Sequence, residues 1–124
     1  MHNKQSPATR ANAPIQPLLT TTTLCFWRPT ASDRHWHENE DEFLYVLSGE
    51  ATVIDNDGEH VLKPGDAACW PAGKDNAHTV MNRSIAPCSY LICGTRSSHD
   101  IVHYPELGQT CHIEGTAWRI NRAD

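Results

Sequence analysis

His35-Trp36-His37-Glu38-Asn39-Glu40-Asp41-Glu42-Phe43-Leu44-Tyr45-Val46-Leu47-Ser48-Gly49 decides how this chain is read. His35 and His37 stand at i and i+2. On an extended strand that spacing puts both imidazoles on one face, roughly 6–7 Å apart. Imidazole is the commonest side-chain metal ligand, and two converging rings can share one ion. Glu42 follows at the head of an apolar run, after the polar turn Glu38 to Asp41, so it can enter from the neighbouring strand. His78 comes much later, in a segment with its own punctuation. Three histidines and one glutamate make a mononuclear metal site.

Outward from that stretch, the chain breaks into short β-rich pieces. The spacing predicts strands over Thr20–Arg28, Arg34–His37, Glu42–Leu47, Glu50–Ile54, Glu59–Leu62, Ala67–Trp70, Ala77–Asn82 and Ser89–Gly94. A further strand is expected near Trp118–Ile120. Asp55-Asn56-Asp57-Gly58 is the tight turn of a hairpin. It resembles a calcium loop only in its first residues, because the downstream glutamate is missing. No window carries a 3.6-residue apolar period long enough for a helix. Turn signals every 8–12 residues therefore predict an all-β sandwich or barrel. Residues 1–17 are polar, with Pro7, Pro14 and Pro17 and no period, and are expected to form a flexible or extended arm. Residues 18–124 are expected to form a single domain.

The strand Glu42–Leu47 is apolar on both faces. Leu44 and Val46 share a face with Glu42, while Phe43, Tyr45 and Leu47 take the other. In so small a domain a second subunit is the natural cover for the outer row, so a homodimer is expected.

Composition narrows the function classes. The net charge of the 124 residues is −5 and there is no basic run, so a nucleic-acid partner is not expected. No apolar stretch approaches the ~20 residues of a membrane span, and the N-terminus does not read as a signal peptide. Cys25, Cys69, Cys88, Cys93 and Cys111 are an odd set without a CxxC pair, as expected of reduced thiols in a cytoplasmic protein. They read as small core residues. Trp27, Trp36, Trp70 and Trp118 read as packing residues, with Trp36 outside the barrel. Arg34, next to His35 on the alternation, points away from the ligands. Arg34, Arg28 and Lys74 read as surface charges, and His2, His60, His99, His103 and His112 as solvated side chains. His103-Tyr104-Pro105 has one alternative, a tail folded back over the barrel mouth.

These residues resemble the cupin superfamily. The first cupin motif is G-x5-H-x-H-x(3,4)-E-x6-G. The chain reads His35-x-His37-x4-Glu42-x6-Gly49, without the leading glycine. The second motif is G-x5-P-x-G-x2-H-x3-N, against Gly65-x5-Pro71-x-Gly73-x4-His78-x3-Asn82 here, with two extra residues before the histidine. The wording around HWHENEDEF and HYP is similar to small single-domain bacterial cupins. The resemblance implies a double-stranded β-helix (a jelly-roll barrel) of two antiparallel sheets. One divalent transition metal, drawn from Fe, Mn, Ni, Zn, Co or Cu, would lie inside, bound by His35, His37, Glu42 and His78. Gly49, Gly65, Pro71, Gly73 and Asn82 would be structural turn residues.

Four protein ligands on an ion that prefers six leave two positions for water or substrate oxygens. The expected function is a metalloenzyme acting on a small polar or aromatic metabolite. It would be a dioxygenase, or an isomerase, epimerase or lyase using the ion as Lewis acid. The alternative is a non-catalytic small-molecule-binding or sensor cupin. A storage cupin is disfavoured by the intact ligand set. The partner expected in every case is a small-molecule ligand, and no catalytic side chain is assigned beyond the ligands.

Overall fold

The computed structural model describes residues 33–123 and, as backbone, the strand at 19–25. The expected arm, Phe26–Arg28 of the first predicted strand and Trp27 lie outside the described residues. Eleven strands are present among the described residues: β1 (Leu19–Cys25), β2 (Trp36–His37), β3 (Glu42–Ser48), β4 (Ala51–Asp55), β5 (Gly58–Leu62), β6 (Ala67–Trp70), β7 (Thr79–Met81), β8 (Cys88–Gly94), β9 (His99–Tyr104), β10 (Gln109–Glu114) and β11 (Ala117–Arg122). A 3₁₀ turn, Pro105–Leu107, separates β9 from β10. There is no α-helix among the described residues, and no helix is long and apolar enough to cross a membrane.

The strands form antiparallel ladders in the orders β1-β8-β3-β6, β11-β10-β9-β2 and β5-β4-β7. The last two are joined where His35 and His78 bridge each other just ahead of β2 and β7. His35 N–H donates to His78 O at 3.1 Å and His78 N–H returns to His35 O at 3.0 Å. Two layers result, and the all-β jelly roll expected from the sequence is the fold. The backbone seam between the two halves of the second layer runs through two of the four expected ligands.

The core forms between the layers for the reason given by alternation. Leu44 and Val46 are fully buried, with Val53, Trp70, Cys88 and Tyr90 around them. Burial of an aliphatic side chain of this size contributes about 1.5–3 kcal/mol. The opposite row of β3 is exposed in the single chain: Phe43 38%, Tyr45 38%, Leu47 50%. Gly49 ends β3 with φ +72°, and a Cβ there would lie 2.3 Å from the Pro87 carbonyl oxygen, so only glycine fits the close approach of the two segments. The Asp55–Gly58 hairpin forms as expected, with Asn56-Asp57 as its two-residue loop. Asn82 is buried and its side-chain amide holds the following turn, donating to Ala86 O and accepting from Ser84 N–H.

The tail departs from the sequence reading. Only a strand near Trp118–Ile120 was expected there, yet β9 and β10 precede it. Polar and apolar residues are mixed on both faces of His99–Tyr104, which hides the period. Trp118, expected to pack, is 69% exposed on the edge strand β11. Of the described cysteines only Cys88 is core; Cys69 is exposed and Cys93 and Cys111 are half-buried.

Candidate metal centre

Three local devices deliver the four expected ligands. His37 sits in β2 and Glu42 opens β3, joined by the turn that the polar run Glu38 to Asp41 makes. That turn is tied down: Glu38 N–H donates to Ile101 O, and Asp41 Oδ1 accepts from Ala72 N–H. Gly73 N–H bonds His37 O at 2.9 Å, so the loop carrying Pro71 and Gly73 is laced to β2. His35 and His78 are set by their shared bridge.

The side chains converge on Glu42. His37 Nε2 lies 2.5 Å from Glu42 Oε1, His78 Nε2 lies 2.9 Å from Oε2, and His35 Nε2 lies 3.4 Å from Oε1. The ligand atoms of His35, Glu42 and His78 all lie within 4.8 Å of one another. His37 meets this trio through the shared carboxylate, while its other nitrogen belongs to a separate acidic pair, Glu40 and Asp100.

The other edge of every ring is occupied by an acceptor. His35 Nδ1 is 3.0 Å from Asp33 O, His78 Nδ1 is 3.2 Å from Asn76 O, and His37 Nδ1 is 2.6 Å from Asp100 Oδ2. With an ion bound, an acceptor at each Nδ1 would hold the proton there and leave Nε2 free to face inward. Three imidazoles around one carboxylate are donor types that suit a divalent transition ion. The residues therefore fit such an ion on their own chemistry.

A family model for the cupin domain matches residues 26–94. The chain belongs to the cupin family. Among solved structures, this cupin is similar to a sugar phosphate isomerase of the cupin superfamily from Silicibacter pomeroyi. The two are 31% identical with a TM-score of 0.80, over 88% of this chain and 69% of that one. A protein from Acidithiobacillus ferrooxidans is 24% identical with a TM-score of 0.77, over 84% of this chain and 66% of that one. The salicylate 1,2-dioxygenase of Pseudoaminobacter salicylatoxidans shares the fold at 21% identity and a TM-score of 0.56, over 72% of this chain and 26% of its own. This cupin thus spans about two thirds of the length of the first two. No curated protein matches it.

Charge in the cupin site follows from its neighbours. Burial opposes a charged His37, but the hydrogen bonds to Asp100 and Glu42 and their fields outweigh it and raise the ring to about 9. Burial likewise opposes charge on Glu42 and Asp100. For Glu42 the three surrounding imidazoles prevail, and for Asp100 the His37 ring and the Asn39 and Ile101 N–H groups. Both carboxyls are held below the usual carboxylate range. Burial, reinforced by the negative potential of Cys111, Asp33 and Glu42, pushes the Tyr104 phenol up.

Asp100, Tyr104 and Trp70 border this site without having been read in the sequence as site residues. Asp100 is buried and also accepts from Asn39 N–H at 2.9 Å. The Tyr104 ring stands 5.8 Å from His35, so the tail does fold back to the ligands, but through Tyr104 alone. His103 faces the other way, stacked on Trp36 at 4.0 Å and bonded to Glu38 at 2.8 Å. Trp70 stacks on His78 at 3.8 Å and closes that side to water. The remaining described histidines stay away from the centre. His60 pairs with Asp55 on the exposed hairpin, His99 is exposed, and His112 bonds Thr110 on β10.

Proposed function

We propose that this cupin binds one divalent transition ion through His35, His37, Glu42 and His78 and is a metalloenzyme of the isomerase or epimerase type acting on a small hydroxylated metabolite. The observation that carries the proposal is the orientation of the three rings, each with Nδ1 on an acceptor and Nε2 aimed at the Glu42 carboxylate. Bound there, the ion would supply Lewis-acid polarisation of a substrate oxygen. Glu42 contributes the negative charge that keeps the centre from carrying the full charge of the cation. Asp100 holds the His37 ring and raises its basicity as a ligand. Trp70 excludes water from the His78 side. Tyr104, whose ring stands beside His35, would offer a hydroxyl donor to a bound substrate. The isomerase reading is supported over the dioxygenase reading by the 31% identity to the Silicibacter protein, since the dioxygenase likeness extends only to the fold.

The test is a chelated and reloaded protein, with metal measured by elemental analysis and turnover by NMR. Aldoses, ketoses and their phosphates in deuterium oxide would be followed for exchange of the proton beside the carbonyl. One ion per chain and metal-dependent exchange are expected. Stoichiometric metal without turnover of any such substrate would leave a binding or sensor cupin as the function. The exposed row Phe43, Tyr45 and Leu47 supports a second part of the proposal, a homodimer in which another copy covers β3. Light scattering should report twice the chain mass, and the single mass for Leu47→Glu.

A further inference from the structure

Arg34 stands directly before the first ligand and faces away from the cluster, yet its guanidinium gathers three distant segments. Nε and Nη2 both donate to the Ala77 carbonyl, at 3.1 and 2.8 Å. Nη1 pairs with Glu106 at 2.8 Å. Nη2 also donates to Asn56 Oδ1 at the tip of the β4–β5 hairpin. Asn56 grips the same loop from its other side: its N–H donates to Asn76 Oδ1 at 2.9 Å and its side-chain amide to Asp75 O at 2.8 Å. Asp55 completes the grip by accepting from Asn76 Nδ2 at 3.3 Å.

Asp75, Asn76 and Ala77 are the three residues ahead of His78. Asn76 O is also the acceptor that orients the His78 ring. The only backbone link between His35 and His78 is one isolated bridge, whose two hydrogen bonds contribute modestly in net terms (about 0.5–1.5 kcal/mol each). The Arg34 network runs directly alongside this bridge and adds to it. The third arm reaches the 3₁₀ turn, two residues after Tyr104, whose ring lies beside His35.

We infer that Arg34 is a positioning residue: it fixes His35 against His78 through Ala77 and Asn56, and seats Tyr104 beside them through Glu106. The inference rests on the reading of His35 and His78 as metal ligands. A planar fork with donors in three directions is needed, so lysine can replace at most one arm.

Arg34→Met keeps the aliphatic length and removes every donor. Two measurements on the full chain test it. In metal-free protein, amide hydrogen exchange at His35 and His78 should quicken at least about tenfold while Val53 in the core keeps its protection. In cobalt(II)-loaded protein, affinity should fall about tenfold or more, the usual loss when a group supporting a ligand is removed, and the visible band should shift. Arg34→Lys should restore only part of both. Exchange within twofold of the native chain would overturn the inference. So would quickened exchange with unchanged cobalt affinity and spectrum, because the network would then serve the fold alone. If the native chain takes up no cobalt at all, the ligand reading fails, and hydrogen exchange still decides whether Arg34 holds the two histidines in register. Should Arg34→Met not fold, Asn56→Ala and Glu106→Ala each remove one arm at an exposed partner and decide by the same two readouts.

Discussion

Two histidine–aspartate pairs in this cupin share their chemistry and differ in consequence. His37 Nδ1 meets Asp100 at 2.6 Å, with side chains 15% and 0% exposed. His60 Nε2 meets Asp55 at 3.1 Å, with side chains 46% and 12% exposed. In the first pair the second ring nitrogen points at Glu42, which two more imidazoles approach. In the second, the partners end at Asn76 and the turn N–H of Asp57. Pairing with a carboxylate is common to both. What separates them is convergence: the His37 pair is the outer support of a ring of donors, and the His60 pair braces a hairpin.

The largest expected effect that sharpens this contrast is loss of the ion. His78→Ala and His35→Ala should each abolish stoichiometric metal after chelation and reloading, while His60→Ala keeps it. Equal metal in the His60 and His78 variants would erase the distinction between the two regions.

Next in size is Asp100→Asn. The amide retains the shape but not the charge that holds His37, and affinity for a divalent ion should drop about 10- to 100-fold by calorimetric titration. Asp55→Asn, the matching change in the other pair, should leave affinity within error.

A pH effect follows from His37. In metal-free protein its folded value, about 9, lies above the ordinary histidine value near 6.5. The stabilisation it contributes is therefore complete below pH 6.5 and is lost as pH rises through 9. Denaturant melts of chelated protein should show stability falling across that window, with a flatter profile for His37→Gln. An ion must displace this proton, so apparent metal affinity should rise with pH up to about 9, up to tenfold per unit for a single released proton. A pH-independent affinity between 6.5 and 9 would mean that His37 is not charged before the ion arrives.

The smallest effect belongs to the exposed pair. His60→Ala should cost no more than about 1 kcal/mol in denaturant unfolding, the usual worth of a solvent-facing ion pair.

What was legible beforehand follows the range of each interaction. His35 and His37 could be placed on one face because strand alternation is local, and Glu42 could join them because a five-residue step leads to the next strand. The two-faced character of β3 was readable for the same reason, and the structure buries Leu44 and Val46 while exposing Phe43 and Tyr45. Arg34 was correctly pointed away from the cluster, but as a surface charge, since its partners Asn56, Ala77 and Glu106 lie 22, 43 and 72 residues away. Trp118 looked like a packing residue by type, and its edge strand leaves it in solvent.

By itself, then, the sequence determined an all-β sandwich or barrel, because strand periodicity and turn chemistry act within a few residues, and its resemblance to cupins added the jelly roll and the set of three histidines and a glutamate. Only the tertiary structure decided which groups orient those side chains. Asp100 stands 63 residues from His37, in a strand with no apolar alternation to announce it, and Tyr104 reaches His35 only because β9 pairs back onto β2. A hydrogen bond of that separation has no local signal. It exists because two sheets close on each other and leave a buried ring nitrogen in need of an acceptor.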